Sequence, residues 1–112
     1  MKESTIVKNI MKALGKHFPG FYFKTHGGPF QRAGLPDIIG LHKGRFIGIE
    51  VKVPGKEDTL TDIQRHTLTL IKLAGGISFM STSVDITIQK LQEEFKNDKK
   101  ISTTRIHLPR IK

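Results

Sequence analysis

Cysteine is absent from the 112 residues, which excludes disulfides and thiolate-held zinc. Acidic side chains are scarce beside basic ones: 10 Asp plus Glu face 19 Lys plus Arg, a formal net charge of +9. A surface this basic favours a polyanionic partner, nucleic acid ahead of an anionic membrane. No apolar run approaches the roughly 18 residues of a membrane span, so no membrane partner is expected. Met1 to Lys16 alternates apolar and charged residues without the apolar block of a signal peptide, and the expectation is a cytoplasmic protein. The five His lack the His-x-x-x-His spacing of a metal site and read mostly as surface or loop residues. No Ser-His or Cys-His arrangement suggests a covalent intermediate. Repeats, low-complexity stretches and linkers are missing too, and one domain over 1–112 is the expectation.

The residues present are enough to fold. Hydrophobic residues make up 37% of the chain, seven of them Phe, so disorder is not the default. Ile6, Val7, Ile10, Met11, Leu14 and Phe18 recur at three- and four-residue steps, predicting an amphipathic helix that Pro19-Gly20 stops. Phe21-Tyr22-Phe23 reads as a strand. Thr25 to Pro36 is a long Gly- and Pro-rich loop, of the kind that in a small domain is functional or disordered. Ile38–Leu41 and Arg45–Val53 read as a hairpin turning at Lys43-Gly44. Thr61-x-x-Gln64 opens a second helix with a capping box, and Gly75-Gly76 stops it. A strand follows over Ile77–Ser81. Ser83 caps a third helix carrying Val84, Ile88, Leu91 and Phe95. The expected class is α/β, a mixed central sheet flanked by helices. Residues 99–112 are basic with scattered Ile and Leu, a candidate dimer- or DNA-contacting tail.

The chemistry concentrates in Pro36-Asp37 and Glu50-Val51-Lys52. If Lys43-Gly44 are the two central turn residues, cross-strand partners have positions summing to 87, and Asp37 faces Glu50. Opposed residues share a sheet face, and two carboxylates there repel unless something positive lies between them. A hard cation such as Mg²⁺, which takes oxygen ligands and accepts one or two protein carboxylates, suits that position. Lys52 leaves the same face as Glu50 and can offset negative charge developing on a phosphate. The competing reading is a strand that begins after Pro36 and an ordinary surface Glu–Lys pair. The apolar strand, the register and the basic chain favour the catalytic reading.

These residues resemble the PD-(D/E)xK nuclease motif. The wider run from Gly34 through Asp37 to Gly40, Gly44 through Glu50-Val51-Lys52 to Gly55, then Gln64 and Ala74-Gly75-Gly76, is similar to the VRR-NUC branch, in particular to its short stand-alone bacteriophage members. The resemblance spans about residues 3 to 82. It implies a restriction-endonuclease-like αβββαβ core and Mg²⁺- or Mn²⁺-dependent DNA cleavage, leaving 5′-phosphate and 3′-hydroxyl ends. It also implies a homodimer acting on branched, Holliday-junction-like DNA. The main-chain carbonyl of Val51 becomes a further metal ligand by the same resemblance. Glu3 is the candidate for the family's first-helix ligand, against the plain reading of an acidic residue at a helix start. Gln64 corresponds to a Gln that positions the lysine, water or phosphate, but the capping box competes for the same side chain.

Lys24, His26, Arg32, Lys43, Arg45 and Lys56 lie in or beside the loops around the motif and are the candidate phosphate contacts, each equally readable as a solvated charge. No base-reading helix or finger is present, so sequence specificity is not expected. The rival readings are a non-catalytic nucleic-acid-binding module and a DNA-end or restriction-type nuclease on the same core.

Overall fold

The computed structural model describes residues 1–26 and 31–101, and Gly27–Phe30 and the tail from Ser102 lie outside the described residues. Helix α1 (Glu3–His17) buries Ile6, Val7, Ile10 and Leu14 along one stripe, the three- and four-residue spacing read from the sequence. Strand β1 (Phe21–Lys24) follows, then β2 (Ile38–His42) and β3 (Arg45–Val51). Lys43 (φ 49°) and Gly44 (φ 79°) join β2 to β3. Two successive positive φ values give the turn a twist that matches the right-handed twist of the strands. The pairing runs from His42↔Arg45 to Ile38↔Ile49, so partner positions do sum to 87.

Helix α2 (Asp62–Leu73) crosses over to β4 (Ile77–Ser81), which lies parallel to β3, and α3 (Val84–Ile101) closes the order. The sheet is mixed, with strand order β1-β2-β3-β4. Among the described residues, this α/β arrangement of four strands and three α-helices is compatible with a restriction-endonuclease-like core. Ser83 caps α3, its Oγ accepting the Ile86 N–H at 3.1 Å. Among the described residues, no helix is long and apolar enough to cross a membrane.

Three expectations need correcting. Strand β3 ends at Val51 rather than Val53, although the Lys52 N–H still donates to the Ser81 carbonyl at 3.0 Å. Helix α3 continues through residues 99–101, so the expected tail can begin no earlier than Ser102, outside the described residues. His42 is buried rather than on the surface. Its Nδ1 bonds the Pro19 carbonyl at 2.7 Å, and its ring meets Phe18 and Phe95 edge-on.

The two faces of the sheet are covered unequally. Ile38, Ile47, Ile49, Val51, Ile77 and Phe79 form one buried cluster with residues of α1 and α3, including Leu91 and Phe95. On the other face α2 packs over β3 and β4. There Gly48 lets Pro36 and Ile71 approach: a Cβ at that position would stand 3.0 Å from Ile71 Cδ1 and 3.1 Å from Pro36 Cγ. Phe21, Phe23 and Leu41 of β1 and β2 stay exposed on this second face.

Candidate active site

Asp37 stands one residue before β2, and extending the ladder by one step places it opposite Glu50. Two features hold it there. The Thr25 N–H donates to the Asp37 carbonyl at 2.9 Å, and the Thr25 hydroxyl donates to the Pro36 carbonyl at 2.8 Å. The Val51 N–H donates to Asp37 Oδ2 at 2.7 Å, a short, charge-assisted bond that aims the carboxylate at the end of β3. Gly34 (φ 80°) admits the preceding loop against α2, where a Cβ would meet the Ile63 carbonyl at 2.9 Å.

Glu50 is 3% exposed. Burial first, then a hydrogen bond and charge repulsion from Asp37, push its carboxyl from 4.5 up to about 9, with Glu3 adding to the rise and Lys52 opposing it. Glu50 is therefore protonated at neutral pH and shares a hydrogen bond with Asp37. A carboxyl pair with one member buried and the other half-buried is costly for a fold that gains nothing from it. The donor set is two oxygen-bearing side chains in direct contact, which suits a hard divalent cation completed by water. Binding one there would displace the Glu50 proton.

The remaining predicted site residues divide. Lys52 is half-buried and lies close enough for its charge to act on Glu50. Glu3 is exposed in the first turn of α1, and its charge also reaches Glu50. Even so, no group of three His, Cys, Asp or Glu gathers around a common point among the described residues. Glu3 is thus a charged neighbour of the pair. Val51 supplies its N–H to Asp37, while its side chain is fully buried.

Gln64 is engaged elsewhere, in the capping box. Its Oε1 accepts the Thr61 N–H at 2.9 Å, and its own N–H donates to Thr61 Oγ1 at 3.2 Å. The side chain expected to serve the active site is thus occupied at the cap, where the Thr61 N–H would otherwise lack this partner.

The predicted phosphate contacts separate by position. Lys24 and His26 are exposed at the end of β1 beside Thr25, which clamps Asp37, and Lys56 is exposed in the turn after β3. Arg32, also exposed, borders an apolar cavity with Leu35, Pro36 and Ile39. Lys43 and Arg45 sit at the opposite end of the hairpin. Five strand positions separate Arg45 from Glu50, roughly 17 Å at the rise of a β-strand. Arg45 Nε donates to the Gly75 carbonyl at 3.0 Å, which ties β3 to the end of α2. Neither residue lies beside the acidic pair, because the hairpin carries its turn away from its open end.

Sequence reasoning missed the Thr25 clamp and the Val51 N–H. The register itself was the available signal for the second, since a carboxylate opposite Glu50 is next to that amide. No family model matches the chain, and a search of curated proteins finds no significant match.

Proposed function

We propose that the protein is a divalent-metal-dependent DNA endonuclease that hydrolyses phosphodiester bonds. The observation that carries this reading is the contact between Asp37 and a nearly inaccessible Glu50, with Lys52 beside them, on a chain of net charge +9. Asp37 and Glu50 would hold Mg²⁺ or Mn²⁺. When bound, such an ion acidifies water and offsets charge on the scissile phosphate. The Val51 amide keeps Asp37 oriented for this task. Glu50 would hold the ion as a carboxylate, its proton passing to solvent, and the Lys52 ammonium would stabilise the negative charge that builds on the phosphoryl oxygens. Lys24, His26, Arg32 and Lys56 grip the backbone on either side.

The VRR-NUC-like motif residues support the same reading and extend it to branched DNA cut by a homodimer in the cytoplasm. A two-fold dimer would provide the paired incisions a four-way junction requires. A second reading, nucleic-acid binding without cleavage, draws on the capping role of Gln64.

The deciding experiment incubates linear, flap and four-way DNA with Mg²⁺ or Mn²⁺, with and without chelator. The expected result is chelator-sensitive cleavage, greatest on the four-way DNA. Asp37→Ala and Lys52→Ala should each reduce it at least about 10²-fold, the scale of losing one transition-state charge contact. Undiminished cutting by either variant would overturn the assignment, and binding without cutting by the unaltered protein would establish the second reading.

A further inference from the structure

The bare part of the sheet's second face lies on the same side as the acidic pair. Phe23 pairs with Ile39, and Asp37 stands two positions before Ile39 in the chain, so Phe23 and Asp37 occupy neighbouring rows of one face. Phe21 stands two positions before Phe23, with ring centroids 5.9 Å apart and planes tilted by 52°. The two rings are 69% and 46% exposed. Exposed aromatics at the edge of a sheet are costly to leave in water without a purpose.

We propose that Phe21 and Phe23 form a stacking platform for unpaired nucleobases next to the cleavage site. The inference rests on the endonuclease reading for its substrate class, although base stacking needs no metal. Charge complementarity selects the occupant: Arg32 borders the same face beside Ile39, the cross-strand partner of Phe23, on a chain of net charge +9 that suits a polyanion. Spacing selects its form. Stacked nucleotides in a duplex strand rise by about 3.4 Å each, less than the separation of the rings, and the rings are not parallel. Two successive bases can cover them only when unstacked and splayed apart. A flap, bubble or junction opened at its crossover offers such bases, whereas an intact duplex does not.

The test measures equilibrium binding of a labelled single strand and of the matching duplex by fluorescence anisotropy in chelator, using Phe21→Ala, Phe23→Ala and the ring-preserving Phe21→Tyr and Phe23→Tyr. Each Ala variant should weaken single-strand binding about 5- to 150-fold, the range for losing one base–aromatic stack. Duplex binding should stay within about twofold, and the Tyr variants should bind as the unaltered protein does. Equal losses on both DNAs, or no loss on either, would overturn the platform. So would a dimer that becomes a monomer in sedimentation of the Ala variants, which would assign the face to a second copy of the chain. Selective single-strand binding by a protein that cuts nothing would sink the endonuclease reading while leaving the platform standing.

Discussion

The two ends of the β2–β3 hairpin use the same strands for opposite purposes. At the closed end, Lys43 and Gly44 are exposed in a tight turn and Arg45 fastens β3 to α2. Charge there is solvated or spent on a main-chain contact, and it serves the fold. At the open end, Asp37 and Glu50 bring like charges together with one of them out of water, and Glu50 stays neutral as a result. A hairpin needs the first end to set its register. Nothing in folding calls for the second, so its acidic pair points to function.

The sharpest way to break this contrast is the cleavage assay, in which Asp37→Ala and Lys52→Ala should abolish activity while Lys43→Ala leaves it intact. Stability against pH comes next. Between about 4.5 and about 9 the folded protein holds a proton on Glu50 that the unfolded chain has released. Stability must therefore fall as pH rises through that window. In metal-free thermal melts, Glu50→Gln should remove more than about 1.4 kcal/mol of this loss, the equivalent of one pKa unit. A melt profile that is the same with and without the substitution would show that Glu50 is not held neutral.

Salt dependence sharpens the comparison further. Lys24→Ala or Lys56→Ala should reduce the log–log salt slope of duplex binding by about 0.9 each. Lys43→Ala should leave the slope unchanged, and a drop there would extend the DNA path to the closed end. The smallest effect is expected at Gln64. Gln64→Ala should lower stability by up to about 1 kcal/mol through the open cap and leave cleavage within about twofold. A larger fall in cleavage would mean that the side chain leaves Thr61 when substrate binds.

Much of the fold was legible because its signals are local. The α1 stripe, the capping box of α2, the Ser83 cap and the Lys43-Gly44 turn are each set by residues within one or two turns of one another. The turn then carried the reading to longer range, since two central residues determine every pair down to Ile38↔Ile49. The same logic failed where a residue has competing partners. Lys43 and Arg45 looked adjacent to the motif because they are near it in sequence, but a strand converts a few residues into a long distance. His42 looked exposed because no periodicity announces a buried imidazole bonded to a main-chain carbonyl.

The chain by itself determined the element order, the hairpin register and the opposition of Asp37 to Glu50, because periodicity, caps and turn chemistry act between near neighbours. Only the tertiary structure decided that Glu50 is sealed from water and that Gln64 closes its own helix. It also decided that Phe21 and Phe23 remain uncovered beside the acidic pair. Burial depends on which helix lands on which face of the sheet, and that is a property of the whole packing rather than of any short stretch of residues.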